Sequence, residues 1–106
     1  MIESIFSELL TTDFAFRRFA AANDPLSHLF EDWLPYYRLK FAIAKVLQPQ
    51  SILEIGVRYG YSAITFLETC PTAKYLGIDL DVDTFGGSQG ALDWARKITK
   101  ITMRPS

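Results

Sequence analysis

The chain has 106 residues, of which 49% are apolar and 22% are charged, as in ordinary globular proteins that fold as a single domain. Its 11 basic and 12 acidic residues give a net charge of −1, so no basic field indicates a nucleic-acid partner. The sequence has no N-terminal secretory signal and no apolar run long enough to cross a membrane, so we expect a cytoplasmic protein without a membrane partner.

The first 48 residues are predicted to form a helical N-terminal extension. The apolar residues of its first helix have amphipathic spacing and are Ile2, Ile5, Phe6, Leu9 and Leu10. A second short helix is expected to begin near Thr12 or Asp13, which are good N-caps, and to end before Asn23.

Two further helices are predicted between residues 27 and 47. Ser27 can cap the first of them, and Pro35 should interrupt it. The second is expected from Tyr36 to Leu47, and Pro49 prevents its continuation. The many aromatic residues of this half suit a core or a dimer face better than a base-stacking platform.

After Pro49 the period of the apolar residues changes. Residues 51–55 are a short apolar run, as in a buried parallel strand. Residues 61–69 have a helical pattern, and residues 74–79 are predicted as a second short strand. Another helix is predicted through Leu92 and Ile98, and a third strand could begin near Ile101. The order strand–helix–strand–helix predicts an α/β fold that starts with a βαβ unit. Cys70 is the sole cysteine, which excludes an internal disulfide and a multi-cysteine metal site.

A loop with two glycines joins the first predicted strand to the helix after it. Gly56 lacks a Cβ, so the backbone can turn sharply there and a ligand can approach closely. Gly60 opens the helix, where a side chain would collide with the strand or the ligand. The N–H groups at this helix end and the Ser62 hydroxyl favour an anionic group, whereas Glu54 suits an ammonium. A zwitterionic amino-acid tail would satisfy both.

Asp79 closes the second predicted strand, 23 residues after Gly56. A carboxylate at this place can accept hydrogen bonds from both hydroxyls of a ribose. Leu80, the next residue, could pack against a purine ring. Asp81 and Asp83 are alternative acids, although such residues more often form turns or caps.

The glycine spacing excludes two common nucleotide-binding loops. A dinucleotide fingerprint requires glycines two and five residues after the first one, where this chain has Arg58 and Tyr61. A P-loop requires Gly-Lys-Ser/Thr five residues after its first glycine, where this chain has Tyr61 and Ser62. One of Arg58, Tyr59 and Tyr61 could hold the carboxylate of the ligand, or these side chains could pack the loop. The sequence leaves both possibilities open.

The pattern Glu54-x-Gly56-x-x-x-Gly60, followed by Gly77-Ile78-Asp79, resembles motif I and the acid after the second strand of class I S-adenosylmethionine-dependent methyltransferases. It is most similar to the small-molecule O-methyltransferase branch, whose motif reads Leu-Glu-Ile-Gly before Gly-x-Ser. The resemblance covers residues 52–98. It implies a Rossmann-like fold, S-adenosylmethionine as cofactor and methyl transfer to a small molecule, with oxygen as the expected acceptor atom.

The resemblance implies cofactor-binding roles for Glu54, Gly56, Gly60 and Asp79. The reasoning from individual residues adds Ser62 and Leu80 to this set. No residue is assigned as the catalytic base, because the positions that supply it in the family have no counterpart in this chain.

The family's sheet has several strands beyond the two that are recognisable here. We therefore expect an incomplete fold, a fragment or a truncated product. Residues 1–48 would be its helical cap and residues 49–106 the N-terminal part of its Rossmann-like cofactor-binding domain. The alternative is a non-catalytic half-domain that binds S-adenosylmethionine or a nucleotide, or that oligomerises. Such a half-domain could form a homodimer through the N-terminal helices or the exposed sheet edge.

Overall fold

A short parallel sheet and four α-helices make up most of the fold. The computed structural model describes residues 1–80, 90–99 and, as backbone, 104–105. The helices are α1 (Ile2–Thr11), α2 (Phe30–Leu47), α3 (Tyr61–Thr69) and α4 (Ala91–Thr99), and the strands are β1 (Ser51–Ile55), β2 (Lys74–Asp79) and β3 (Arg104–Pro105). Two short 3₁₀ helices, Phe16–Phe19 and Ser27–Leu29, lie between α1 and α2. Among these described helices, none combines the length and apolarity needed to cross a membrane.

The sheet has the order β1-β2-β3, and its strands are parallel. Ser51 lies opposite Lys74 and Ile55 opposite Ile78, so β1 and β2 end at the same edge. Parallel strands need a crossover between them, and α3 supplies it. The α/β order of strand, helix, strand and helix that the sequence predicts after Pro49 is confirmed. The prediction that a third strand begins near Ile101 falls on a residue outside the described ones.

The two faces of the sheet differ in exposure. Gly77 and Asp79 lie on the face that the helices cover, and both are buried. On the opposite face the side chains of Leu53 and Ile55 are 62% and 78% exposed. Since parallel sheets normally have both faces covered, this apolar face lacks a covering layer within the described residues.

The main apolar core joins the N-terminal helices to the second half of the chain. Its buried members are Phe16, Ala21, Phe30, Leu34, Tyr59, Tyr61 and Ala91. The edge-to-face contact of Phe30 with Tyr61, with ring centroids 5.1 Å apart, connects α2 directly to the first residue of α3. The division into an extension and a sheet domain at residue 48 stays a prediction, and the two parts share this core.

The prediction that Pro35 separates two helices is wrong. Helix α2 continues through Pro35, which lies in its second turn and is exposed. A proline there removes only the hydrogen bond from its own nitrogen to the Glu31 carbonyl, at a cost of about 3 kcal/mol. Burial of Phe30 and Leu34 before the proline, and of Ala42 and Ala44 after it, offsets this cost.

The prediction of a helix that begins near Thr12 or Asp13 and ends before Asn23 is also wrong in its extent. The segment forms only the 3₁₀ helix Phe16–Phe19. The ring of Phe14 stacks on Phe41 of α2 at 5.1 Å and meets Phe16 edge-on at 4.7 Å. We attribute the irregular backbone to this packing, which requires phenylalanines two residues apart to reach the same core.

Candidate functional site

The carboxyl ends of β1 and β2 and the N-terminus of α3 meet at one edge of the sheet. The loop between β1 and α3 stays close to β2, because the N–H of Gly56 donates to the carbonyl of Ile78 at 2.8 Å. Helix α3 begins at Tyr61, directly after Gly60. The structure therefore brings Glu54, Gly56, Gly60, Ser62 and Asp79 to this edge, as the sequence predicts for strand ends in a parallel sheet.

Glycine is present at the two loop positions for different structural reasons. Both have a left-handed backbone, with φ of +84° at Gly56 and +81° at Gly60. A Cβ at Gly56 would meet no atom of the described residues within 4 Å, so these residues leave the space beside it open to a ligand. A Cβ at Gly60 would lie 2.8 Å from the Cβ and 2.9 Å from the Cα of Ala95. We predict a strand or ligand as the neighbour of Gly60, and the structure places helix α4 there instead.

Asp79 is buried and holds the loop. One of its carboxylate oxygens, Oδ2, accepts a hydrogen bond from the backbone N–H of Arg58 at 2.7 Å. A carboxylate has about four acceptor positions on its two oxygens, so this bond is compatible with further hydrogen bonds from ribose hydroxyls. The side chain of Leu80, the next residue, is 52% exposed at the same edge.

Glu54 belongs to a polar cluster beneath α2. Its Oε1 accepts a hydrogen bond from the Tyr75 hydroxyl at 2.5 Å. Burial raises the pKa of the Glu54 carboxyl above its ordinary value, while the bond from Tyr75 and the charge of Lys40 oppose this rise. The ammonium of Lys40 donates to the Ser62 hydroxyl at 2.7 Å and lies 4.2 Å from the ring centroid of Tyr36. Lys40 is therefore close to Ser62, and its charge also acts on the Glu54 carboxyl.

Lys40 is a polar residue of this site that the sequence reasoning missed. It comes from α2, 22 residues before Ser62. In the sequence it has the appearance of an ordinary solvated charge within an amphipathic helix. Only the packing of α2 against α3 places it at the N-terminus of α3, and no local pattern encodes that packing.

Asp24 is a second polar residue near this edge that the sequence does not predict. Its side chain is fully buried and accepts three hydrogen bonds. They come from the guanidinium of Arg58 at 2.9 Å, the hydroxyl of Tyr61 at 3.1 Å and the backbone N–H of Leu26 at 2.9 Å. In the sequence, Asp24 precedes a proline and indicates only the end of a helix. Its burial is the signal of a further role, because aspartate is rarely buried without partners.

The side chains of Arg58, Tyr59 and Tyr61 pack the loop in this structure. Arg58 and Tyr61 bind Asp24, and the rings of Tyr59 and Tyr61 stack at 6.0 Å. This arrangement favours loop packing, one of the two possibilities that the sequence leaves open. The alternative acids Asp81 and Asp83 lie outside the described residues.

No protein-family model and no curated protein matches the sequence. Among solved structures, the fold is similar to that of the SAH-bound methyltransferase PaMTH1 of Podospora anserina, with a TM-score of 0.60 and 17% sequence identity. The similarity covers 98% of this chain and 42% of that protein. The chain therefore has the Rossmann-like α/β fold of a methyltransferase, over less than half of that protein's length.

Proposed function

We propose that this chain binds S-adenosylmethionine and contributes the cofactor site of a methyltransferase. The observation that carries the proposal is the convergence of Glu54, Gly56 and Asp79 at one sheet edge beside the N-terminus of α3. This convergence occurs in a fold shared with a methyltransferase that binds SAH, which is S-adenosylhomocysteine. The donors and acceptors present suit each part of such a cofactor.

The adenosyl half would be bound by residues at the end of β2. Asp79 would accept hydrogen bonds from the ribose hydroxyls, since a carboxylate at this place in an open parallel sheet has that role in nucleotide-binding folds. The exposed side chain of Leu80 would pack against the purine. The space that the described residues leave open beside Gly56 would admit the cofactor close to the backbone.

The amino-acid half would be bound by the polar cluster under α2. Glu54 would pair with the ammonium, and its ionised form would be stabilised by that charge. The N-terminus of α3 and Ser62 would bind the carboxylate. We add Lys40 to this set, because its ammonium already lies 2.7 Å from the Ser62 hydroxyl. A lysine near the positive end of a helix dipole is unfavourable by itself and becomes favourable when a carboxylate lies between them.

The reaction that we propose is methyl transfer to an oxygen of a small molecule. When bound, S-adenosylmethionine supplies a methyl group already made electrophilic by its sulfonium. The residues of this chain would then contribute orientation of the cofactor and exclusion of water. We assign no catalytic base, and the oxygen acceptor and the O-methyltransferase branch are proposed from the motif alone.

Substitution of Asp79 tests the proposal. Asp79→Ala would also remove the bond to Arg58 N–H, so the better variant is Asp79→Asn, whose carbonyl oxygen can still accept that bond. We expect Asp79→Asn to raise the Kd for S-adenosylhomocysteine about tenfold, which corresponds to ~1.4 kcal/mol. Asp32→Asn, an exposed substitution on α2, is the control. Equal affinity of both variants for S-adenosylhomocysteine would refute the ribose assignment.

A non-catalytic half-domain is the second candidate function. The exposed apolar face with Leu53 and Ile55 favours it, because such a face is a common site of association. Such a module would bind the cofactor, form a dimer through its sheet edge or N-terminal helices, and transfer no methyl group. Incubation with isotope-labelled S-adenosylmethionine and a set of hydroxylated small molecules, together with light scattering, distinguishes the two candidates.

A further inference from the structure

Arg58 has a backbone conformation that arginine rarely adopts. Its φ is +50°, in the left-handed region, where the Cβ crowds the backbone. A residue persists in such a conformation when its surroundings fix it, and residues of this kind cluster at functional sites. At Arg58 one fixing contact comes from the backbone and another from the side chain.

These two contacts link different parts of the chain. The backbone N–H of Arg58 donates to Asp79 Oδ2 at 2.7 Å, and its guanidinium donates to Asp24 Oδ1 at 2.9 Å. The Arg58 side chain is 20% exposed and that of Asp24 is fully buried, so water screens the ion pair weakly. Charge-assisted hydrogen bonds in such surroundings are short and strongly directional.

Asp24 is itself held in place from several sides. Leu26 N–H and the Tyr61 hydroxyl donate to its carboxylate. The Tyr61 hydroxyl in turn accepts from the N–H of Ala21 at 3.0 Å. Hydrogen bonds to Tyr61, the first residue of α3, therefore hold the segment around Asp24 in place. Asp24 is thus a fixed acceptor for the Arg58 guanidinium.

We infer that Asp24 and Arg58 are positioning residues for the cofactor. Asp24 fixes the guanidinium of Arg58, and the fixed arginine keeps its backbone N–H on the carboxylate of Asp79. This orients Asp79 toward the ribose. The inference rests on the proposed function and extends it, because it gives the N-terminal segment a part in binding the cofactor.

Calorimetry on the full chain tests this inference, with S-adenosylhomocysteine and adenosine as ligands. Asp24→Asn has the same shape as the native residue but loses the charge that holds Arg58. We expect its Kd for both ligands to rise about tenfold, because both ligands contain the ribose. The binding stoichiometry should not change, because all of the chains should still fold and bind the ligand, each with a higher Kd. Asp13→Asn, at an exposed position of the same segment, is the control and should bind like the native chain.

Two substitutions of Arg58 separate its backbone from its side chain. Arg58→Gly removes the guanidinium, yet glycine adopts positive φ easily and retains the N–H. Arg58→Ala also removes the guanidinium but disfavours positive φ. We expect Arg58→Ala to bind both ligands several-fold more weakly than Arg58→Gly. In Arg58→Gly the buried Asp24 has lost its cation. Adding Asp24→Asn to this variant should therefore not weaken binding further, and it should raise the melting temperature because it removes that uncompensated charge.

An unchanged Kd in Asp24→Asn would overturn the inference. A lower stoichiometry with an unchanged Kd would also overturn it, because Asp24 would then serve folding alone. If the native chain binds S-adenosylhomocysteine and Asp24→Asn binds it equally well, only this inference fails. If the native chain binds neither ligand, the proposed function fails and the inference fails with it.

Discussion

At the residue scale, two effects act in opposite directions on the ionisation of the Glu54 carboxyl. Burial disfavours its ionised form, whereas a bound ammonium would require that form. Because its pKa in the folded chain is raised, the folded state holds the Glu54 proton at pH values where the unfolded state has released it. The contribution of Glu54 to stability therefore falls as pH rises from its ordinary pKa through the raised one.

The same pKa rise predicts how cofactor affinity depends on pH. We expect the affinity for S-adenosylhomocysteine to increase as pH rises through the raised pKa of Glu54, because ionised Glu54 attracts the ammonium. Adenosine lacks the amino group, so its affinity should change less. Calorimetric titrations of both ligands at several pH values measure the difference, and Glu54→Gln should remove it. A constant ratio of the two affinities in the native chain would contradict the assignment of Glu54.

Lys40 gives a second prediction at this scale. Lys40→Met retains most of the aliphatic side chain but loses the charge near Ser62. We expect its affinity for S-adenosylhomocysteine to fall by about tenfold and its affinity for adenosine to stay the same. Lys40→Arg should retain much of the affinity, since it keeps a cation near Ser62. Equal losses for the two ligands in Lys40→Met would show that Lys40 does not bind the carboxylate.

Gly56 and Gly60 form a matched pair for a stability measurement. Alanine at either position has an unfavourable positive φ, which costs about 1–2 kcal/mol. At Gly60 the new Cβ would also overlap Ala95, which should add about 1–3 kcal/mol of overpacking. Urea unfolding should therefore show a clearly larger loss of unfolding free energy for Gly60→Ala than for Gly56→Ala. Equal losses would mean that α4 does not pack against Gly60 as closely as the structure shows.

At the scale of elements, Pro35 gives a direct test of helix α2. Pro35→Ala restores the N–H that can bond the Glu31 carbonyl, and the residue is exposed. We expect the unfolding free energy to rise by about 1–3 kcal/mol with no loss of helical circular dichroism. If instead two separate helices met at Pro35, alanine would add helical signal without this gain in stability.

The sequence predicts the elements after Pro49 better than those before it. The strand 51–55 follows from a short apolar run and the helix 61–69 from its helical spacing of apolar residues. One face of β1 is nevertheless exposed, where the apolar run predicts a buried strand. Glycine and acid spacing places the candidate ligand groups at the strand ends. The path of the chain before Pro49 depends on tertiary contacts, such as Phe14 on Phe41, which override the local helix signals.

The parts of the site that the sequence does not predict are those that join distant segments. Asp24 and Arg58 are 34 residues apart, and Lys40 and Ser62 are 22 apart. Neither pair has a local motif, because a buried ion pair or a helix-to-helix bond depends on how the elements pack. The candidate cofactor groups follow from motif spacing, whereas the contacts that position them follow from the fold.

For the whole molecule, the segment after α1, helix α2, the loop before α3, and helices α3 and α4 contribute residues to one aromatic core. The network from Asp24 through Arg58 to Asp79 crosses the boundary predicted at residue 48. We therefore expect the helical part to be needed for cofactor affinity as well as for folding. Association of two copies through the N-terminal helices or the sheet edge stays a prediction, which light scattering over a range of concentrations would check.

The most direct test of the central claim is a calorimetric titration of the native chain with S-adenosylhomocysteine, with NAD as the comparison ligand. The site described above predicts saturable binding of one S-adenosylhomocysteine per chain and no saturable binding of NAD. Saturable binding of NAD in place of S-adenosylhomocysteine, or no binding of S-adenosylhomocysteine by correctly folded chain, would contradict the claim.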